Sequence, residues 1–462
     1  MAETLPRFLG ILPLLLLIGG TLSGCAHWVP PVGFPFDFYE PDETVETVEP
    51  PKASVQSHGF YLKGEDSVVG RLAAVPVQEG DTLLDIARHF GLGYQGIVDA
   101  NPNLDAWIPS EGEPALLPLQ FILPDAPRKG IVINLAAMRL FYYSEGKKPA
   151  LATWPIGIGR EGRATPLGIM TIERKTEHPT WHVPESIRRT HAQQGDPLPP
   201  VVPPGPDNPL GDFALYLSKP SYLIHGTNKP FSIGLRASNG CIRLYPEDIE
   251  RAFKQIPAKT PVVVVNQPYL LGWLGSSLYL EAHRPFEEID PQQAKDNLWA
   301  KLRQIEKKQP HKLDWSKIEE TLKQARGIPV PIFLGTESLK RRLADAASVD
   351  RPERLFGQPQ PAPPPQGGWQ VRTSETEDGF KAKRLAAQLN HLGPRVPALA
   401  VARNRRFRVV AGPFPDEATA GKVQGFLSED FGTASEVVKP LKATLRMQAK
   451  PETHWRSPEM LW

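Results

Sequence analysis

Cysteine is nearly absent: Cys25 and Cys241 are the only two in 462 residues. That excludes a small disulfide-stapled scaffold. An excess of one charge is missing too, because 53 Lys and Arg against 51 Asp and Glu leave a net charge of +2. The electrostatic footprint of a nucleic-acid-binding protein is therefore lacking, and no nucleic acid partner is expected. No apolar run reaches the ~20 residues that span a bilayer, the nearest being residues 9–22. Proline, by contrast, is abundant at 51 residues, about twice its usual ~5% share, which argues against a mainly helical chain and for several units joined by linkers.

At this length about three domains are expected. Residues 1–24 read as an export signal whose apolar core ends in Leu22-Ser23-Gly24-Cys25. Small residues before a cysteine resemble the lipobox of bacterial prolipoproteins, which implies lipidation of Cys25 and cleavage before it. Ala26, in place of the aspartate associated with inner-membrane retention, points to the outer membrane of a Gram-negative bacterium. The expected location is thus the periplasmic face, lipid-anchored. Residues 25–72 read as a tether, with Asp37, Glu40, Asp42, Glu43, Glu46 and Glu49 unopposed until Lys52.

Residues 73–124 change character. Val75-Pro76-Val77 reads as a strand, Asp81 or Thr82 as a helix cap, and Leu83, Ile86, Ala87 and Phe90 as one helix face. A second short helix should run to Asn101-Pro102, with closing strands near 116–124. This order resembles a small α+β LysM module, a glycan-binding family, and implies contacts near Asp81, Thr82, Asn101 and Pro102. Residues 267–356 read as a helical extension, with Leu298, Leu302 and Ile305 on one stripe and Trp315, Ile318, Leu322 and Ala325 on another. A Pro-rich linker at 357–367 follows, then a strand–helix alternation over 368–442 with Arg408-Val409-Val410-Ala411-Gly412-Pro413-Phe414 before a helix. This resembles the α+β SPOR domain, which binds peptidoglycan strands lacking stem peptides. Residues 443–462 are read as a tail.

Between 128 and 266 lie short strands separated by Gly and Pro, the pattern of a compact, mainly β catalytic domain. The Pro-rich segment around 199–209 reads as one long irregular loop, of the kind that carries function. The chemistry concentrates in Ile224-His225-Gly226-Thr227-Asn228 and Ser238-Asn239-Gly240-Cys241-Ile242-Arg243-Leu244. A thiol with an ordinary pKa near 8.5 needs a base or a cation to act as a nucleophile at neutral pH, and His225 is the candidate. Gly240 allows backbone amides to approach a reacting carbonyl as an oxyanion hole. A zinc site from His178, His182, His191 and Cys241 is disfavoured, since Pro179 and Pro184 keep His178 and His182 off one regular helix face. No metal or cofactor is expected.

With Gly157-Ile158-Gly159, Thr165-Pro166-Leu167-Gly168, His178-Pro179-Thr180-Trp181 and the Pro203–Gly211 run, these residues resemble the YkuD-type L,D-transpeptidases of bacterial cell-wall synthesis. The resemblance implies a β-sandwich-like fold and acyl transfer through a Cys241 thioester. The donors are tetrapeptide stems, from which D-alanine is released, and crosslinks form between diaminopimelate-type residues. In that reading His225 carries the proton, Ser238 orients the imidazole, and the amides around Gly240 and Cys241 hold the oxyanion. Arg243, Gly226, Thr227, Asn239 and Trp181 contact substrate or its loop. Asn239 departs from the histidine common there, so His225 alone must move the proton. Two rivals stand beside this reading. The thioester could pass to a lysine of a wall-anchored lipoprotein or to water, or the chain could be a non-catalytic wall-binding scaffold.

Overall fold

The computed structural model describes residues 58–62, 64–144, 150–193, 197–359, 367–391 and 396–440. The expected signal peptide, Cys25, the 443–462 tail and most of the Pro-rich linker lie outside the described residues. No helix among the described residues is long and apolar enough to cross a membrane.

The centre is one nine-stranded sheet in the spatial order Gly59–Tyr61, Ala150–Pro155, Arg139–Ser144, Gly130–Asn134, Pro261–Val265, Gly168–Glu177, Phe213–Leu217, Leu223–His225, Ile242–Arg243. Side chains alternate across a strand, so its two faces feed different cores. Ile131, Ile133, Leu140, Tyr142 and Trp154 join Met170, Leu215, Ile224 and Ile242 in one buried cluster. Both ends of the sheet share this core, which also takes Ile249 and Ala252 of the helix Pro246–Gln255. Sandwich-like packing is therefore reached within a single hydrogen-bonded sheet. The intervening Val132, Phe141, Tyr143 and Leu151 face the other way, into a second core.

That second core is completed by residues 73–123. The strands Ala73–Pro76 and Pro114–Leu117 pair antiparallel, and the helices Leu83–His89 and Tyr94–Ala100 lie between them in sequence. Leu83, Ile86, Ala87 and Phe90 are buried against the sheet face. Thr82 is the N-cap, and it forms a reciprocal capping box with Asp85. Arg139 ties the two layers: fully enclosed, it donates to the Gly91 carbonyl at 2.9 Å and lies 4.0 Å over the Phe121 ring.

Three sequence expectations change. The tether does not run to residue 72, because Gly59–Tyr61 is the edge strand of the central sheet, with Phe60 buried, and Val68–Gly70 pairs with Gln120–Ile122. The 267–356 extension is not purely helical. It opens with the hairpin Tyr269–Leu274 and Ser277–Ala282, joined by Val330–Pro331, and the helices Pro291–Lys308 and Trp315–Gln324 pack on it through Leu278, Leu280, Leu298, Leu302 and Ile318. The Pro-rich segment around 199–209 is not wholly irregular either: its Val201–Val202 pairs with Trp181–His182, and the exposed helix Glu185–Gln193 lies between the two strands in sequence. Asn208 closes the base of this flap, donating to the Pro179 and Pro203 carbonyls and accepting from Leu210 N.

The C-terminal unit has the sheet order Ala398–Arg403, Arg406–Phe414, Trp369–Thr373, Ser435–Val438. The helices Gly379–His391 and Glu417–Phe431 bury Ala382, Ala386, Leu389, Ala420, Val423 and Leu427 against it.

Beyond Ala347–Ser348, which pairs parallel to Ala73–Pro76, a strap crosses the start of the first helix. Arg351 binds Asp81 at 2.5 Å, with side chains 4% and 0% exposed, and Gln358 donates to the same carboxylate. Removing one partner of a buried ion pair leaves a charge uncompensated, at a cost of about 3–5 kcal/mol. Arg351→Ala should therefore lower the urea-unfolding free energy by about 3 kcal/mol and open the strap to trypsin at Arg354. Unchanged unfolding and an uncut strap would refute this tie.

Candidate active site

The histidine strand Leu223–His225 lies antiparallel to Phe213–Leu217 and parallel to Ile242–Arg243, with Ile224 opposite Ile242 and His225 opposite Arg243. Both isoleucines are almost fully buried in the core. Alternation then sends His225, Arg243 and Cys241 to the same, outer face. Continuing this register puts Cys241 opposite Leu223, one strand across and two residues along from His225, offsets of about 4.8 and 6.6 Å. The sequence separation of 16 residues is bridged by a loop that the second short helix anchors. Tyr94 N and Gln95 N, at the start of that helix, donate to the carbonyls of Ile233 and Gly234.

The turn that carries the cysteine is clamped from both sides. Ser238, 2% exposed, donates its hydroxyl proton to the Cys241 carbonyl at 2.5 Å and accepts from Gly240 N at 3.1 Å. Ser238 thus holds the turn, and the expectation that it orients the imidazole is corrected: its proton is spent on the main chain. For the same reason the Gly240 N–H is already committed and does not point to an oxyanion in this structure. Gly240 has φ +108°, and a Cβ there would lie 2.8 Å from the Tyr222 ring, so no other residue suits this position.

Thr165 supplies the second clamp. It is 4% exposed, donates to the Gly240 carbonyl and accepts from Gly159 N, each at 3.0 Å. Sequence reasoning noted Thr165 within a motif but gave it no role. Gly159 pairs with Ser238, and a Cβ on it would fall 2.2 Å from the Arg163 carbonyl, which explains the glycine of that motif. Asn239 accepts from Arg160 Nη2 at 3.3 Å. Gly226 N donates to the Phe213 carbonyl, and the buried Thr227 accepts from Lys229 N, so these two shape the turn after the histidine. Trp181 stands on the flap, half-buried. Among the described residues no three His, Cys, Asp or Glu side chains come together as a metal site.

Burial controls the electrostatics. Desolvation, reinforced by Arg243, lowers the His225 pKa to about 3, while the main chain of Gly226 and Leu210 acts in the opposite direction. Its Nδ1 is enclosed without a partner of hydrogen-bonding geometry. Burial pushes the Cys241 thiol up, although the Leu223 main chain and Arg243 favour the thiolate. The thiol rests 3.6 Å from the Ser221 carbonyl. At neutral pH the site therefore holds an uncharged thiol and an uncharged imidazole beside an enclosed guanidinium.

A nucleophile clamped on a glycine turn beside a neutral imidazole defines a cysteine acyltransferase. The L,D-transpeptidase catalytic domain family, YkuD, matches residues 128–264, and the SPOR domain matches residues 367–439. The chain is 39% identical over 282 residues to the probable L,D-transpeptidase ErfK/SrfK of Escherichia coli K12, covering 59% of this chain and 89% of that one. It is 38% identical to the probable L,D-transpeptidase YbiS of the same strain, over 57% and 88% of the two chains. A third relative, the probable L,D-transpeptidase YcfS, is 42% identical over 46% of this chain and 69% of its own. The chain belongs to the L,D-transpeptidase family and is a cysteine transpeptidase, with a SPOR domain at its C-terminal side.

Thr165→Val keeps the volume of the clamp but removes both of its hydrogen bonds. A misplaced reacting group costs up to about 100-fold. The variant should lose about 10- to 100-fold in kcat with its fold intact, and Thr165→Ser should recover most of it. Equal kcat in Thr165→Val and the wild type would remove Thr165 from the site.

Proposed function

We propose that Cys241 forms a thioester with the diaminopimelate-type residue of a peptidoglycan tetrapeptide stem, releasing D-alanine, and passes the acyl group to the amine of a second stem. The observation that carries this is the common face of His225, Cys241 and Arg243 in a chain of this family. The thiol proton moves to His225 as the sulfur–carbon bond forms. The tetrahedral intermediate collapses with cleavage of the amide bond, and His225 returns the proton to the departing D-alanine nitrogen. The acceptor amine then attacks the thioester, gives its proton to His225, and Cys241 leaves and is reprotonated. Arg243, enclosed beside the sulfur, lowers the cost of negative charge there during both steps.

The domain limits read from the sequence belong to the same proposal, with two amendments: the catalytic unit and the small unit read as 73–124 both begin before residue 73, and residues 267–356 form a mixed α/β buttress. Residues 73–124, read from the sequence as LysM-like, are proposed as a support for the catalytic loop rather than a glycan groove. Asp81 is consumed by Arg351, Gln358 and Gln78 N, Thr82 by its capping box, and Asn101 by Ile97 and Leu116. Glycan strands are then left to the SPOR domain. A lipid on Cys25 would hold the enzyme at the periplasmic face of the outer membrane, where tethering raises the local concentration of stems.

Intact mass of the purified chain tests the chemistry. Incubation with a carbapenem should add one drug mass to the wild type and none to Cys241→Ala, and a disaccharide-tetrapeptide should lose D-alanine only with the wild type. A crosslinked dimer identifies a stem as acceptor, whereas free tripeptide identifies water and transfers the reading to a carboxypeptidase. Neither adduct nor turnover in a folded chain would leave only a wall-binding scaffold.

A further inference from the structure

Four arginines surround the cysteine turn, and their partners differ. Arg236 is neutralised by Glu287 and Glu288. Arg243 is enclosed beside His225 and Cys241. Arg163 points to solvent. Arg160 is half-buried, and among the described residues no carboxylate pairs with it. Its main-chain N–H donates to the Ser238 carbonyl at 2.9 Å, which fixes its Cα against the turn. Its guanidinium donates to Asn239, the residue before Gly240-Cys241.

A guanidinium has five N–H donors and no acceptor, so Asn239 must present its oxygen and uses only one of them. The remaining donors keep the planar fork that matches a carboxylate. A histidine at 239 would present a group that can carry positive charge to this cation. The amide is the matched partner, since it orients the guanidinium without competing for its charge.

We propose that Arg160, oriented by Asn239, is a carboxylate-binding residue of the substrate site and sets the preference for stems whose donor end bears a free carboxylate. The inference rests on the stem-peptide reading above. Two carboxylates of a tetrapeptide share this chemistry: that of the terminal D-alanine and the free carboxylate of the diaminopimelate-type residue.

Equilibrium binding to Cys241→Ala, which cannot turn over, separates the two claims. The ligands are the tetrapeptide acid, its terminal D-alaninamide, and the tetrapeptide amidated on the free diaminopimelate carboxylate. One of the two amides should bind about tenfold or more weakly than the acid. Adding Arg160→Gln should weaken the acid to the level of that amide and erase the discrimination, and Arg160→Lys should restore part of it. The amide whose penalty disappears names the carboxylate. In the chain with Cys241 intact, Arg160→Gln should raise KM for the acid with kcat changed less than about twofold, and alkylation of Cys241 by neutral iodoacetamide should be unaltered. Persistent discrimination without Arg160, no discrimination in its presence, or no binding of any peptide would each overturn the proposal. Absence of turnover in the wild type with carboxylate discrimination retained would instead refute the transpeptidase chemistry and leave the subsite standing.

Discussion

The parallel pairing of Leu223–His225 with Ile242–Arg243 is the constraint from which the rest of the site follows. It is only two residue pairs long, so it cannot hold by its own hydrogen bonds. Ile224 and Ile242, buried beneath it, anchor the pair to the core, and burial of a side chain of this size stabilises by roughly 1.5–3 kcal/mol. Above it, the main chain is held from three directions: Thr165 and Ser238 on the cysteine turn, Gly157 bridged to Arg243, and the 94–100 helix on the connecting loop. The 94–100 helix, which holds the loop between His225 and Cys241, is thus part of what keeps base and nucleophile together.

The same burial that fixes the geometry sets the protonation states. An imidazole out of contact with water and next to Arg243 does not take a proton in the neutral range, and the half-buried thiol, pushed up by desolvation, does not readily lose one. The resting site is consequently a neutral pair rather than a thiolate–imidazolium ion pair. Charge develops on the sulfur only as the bond to carbon forms, when Arg243 is already in place, so no solvent need reorganise around it.

Much of this was legible in the sequence, and the exceptions share a cause. Short apolar runs separated by Gly and Pro marked the strands from Ile131 to Tyr143, and a helix cap at Asp81 or Thr82 followed from local chemistry, because both depend on neighbours a few residues apart. The His225 and Cys241 segments stood out through their motif, since glycines such as Gly159 and Gly240 occupy places where a Cβ would collide. Asp81 and Asn101 had the look of a groove, but Arg351, 270 residues away, closes over Asp81, and no local pattern announces that. Gly59–Tyr61 was hidden because three residues after an acidic stretch become a strand only when Ala150–Pro155 offers its edge. The proton of Ser238 could not be aimed from sequence at all: hydroxyls rotate, and only the fold brings the Cys241 carbonyl within 2.5 Å.

The central claim, a neutral thiol and imidazole at rest, is tested most directly by the pH dependence of Cys241 alkylation with iodoacetamide. With the thiol raised and His225 lowered, the rate should climb about tenfold per pH unit from pH 6 through 8, and His225→Gln should follow the same slope. A plateau between pH 5 and 7, lost in His225→Gln, would mean a preformed thiolate–imidazolium pair and would contradict the account.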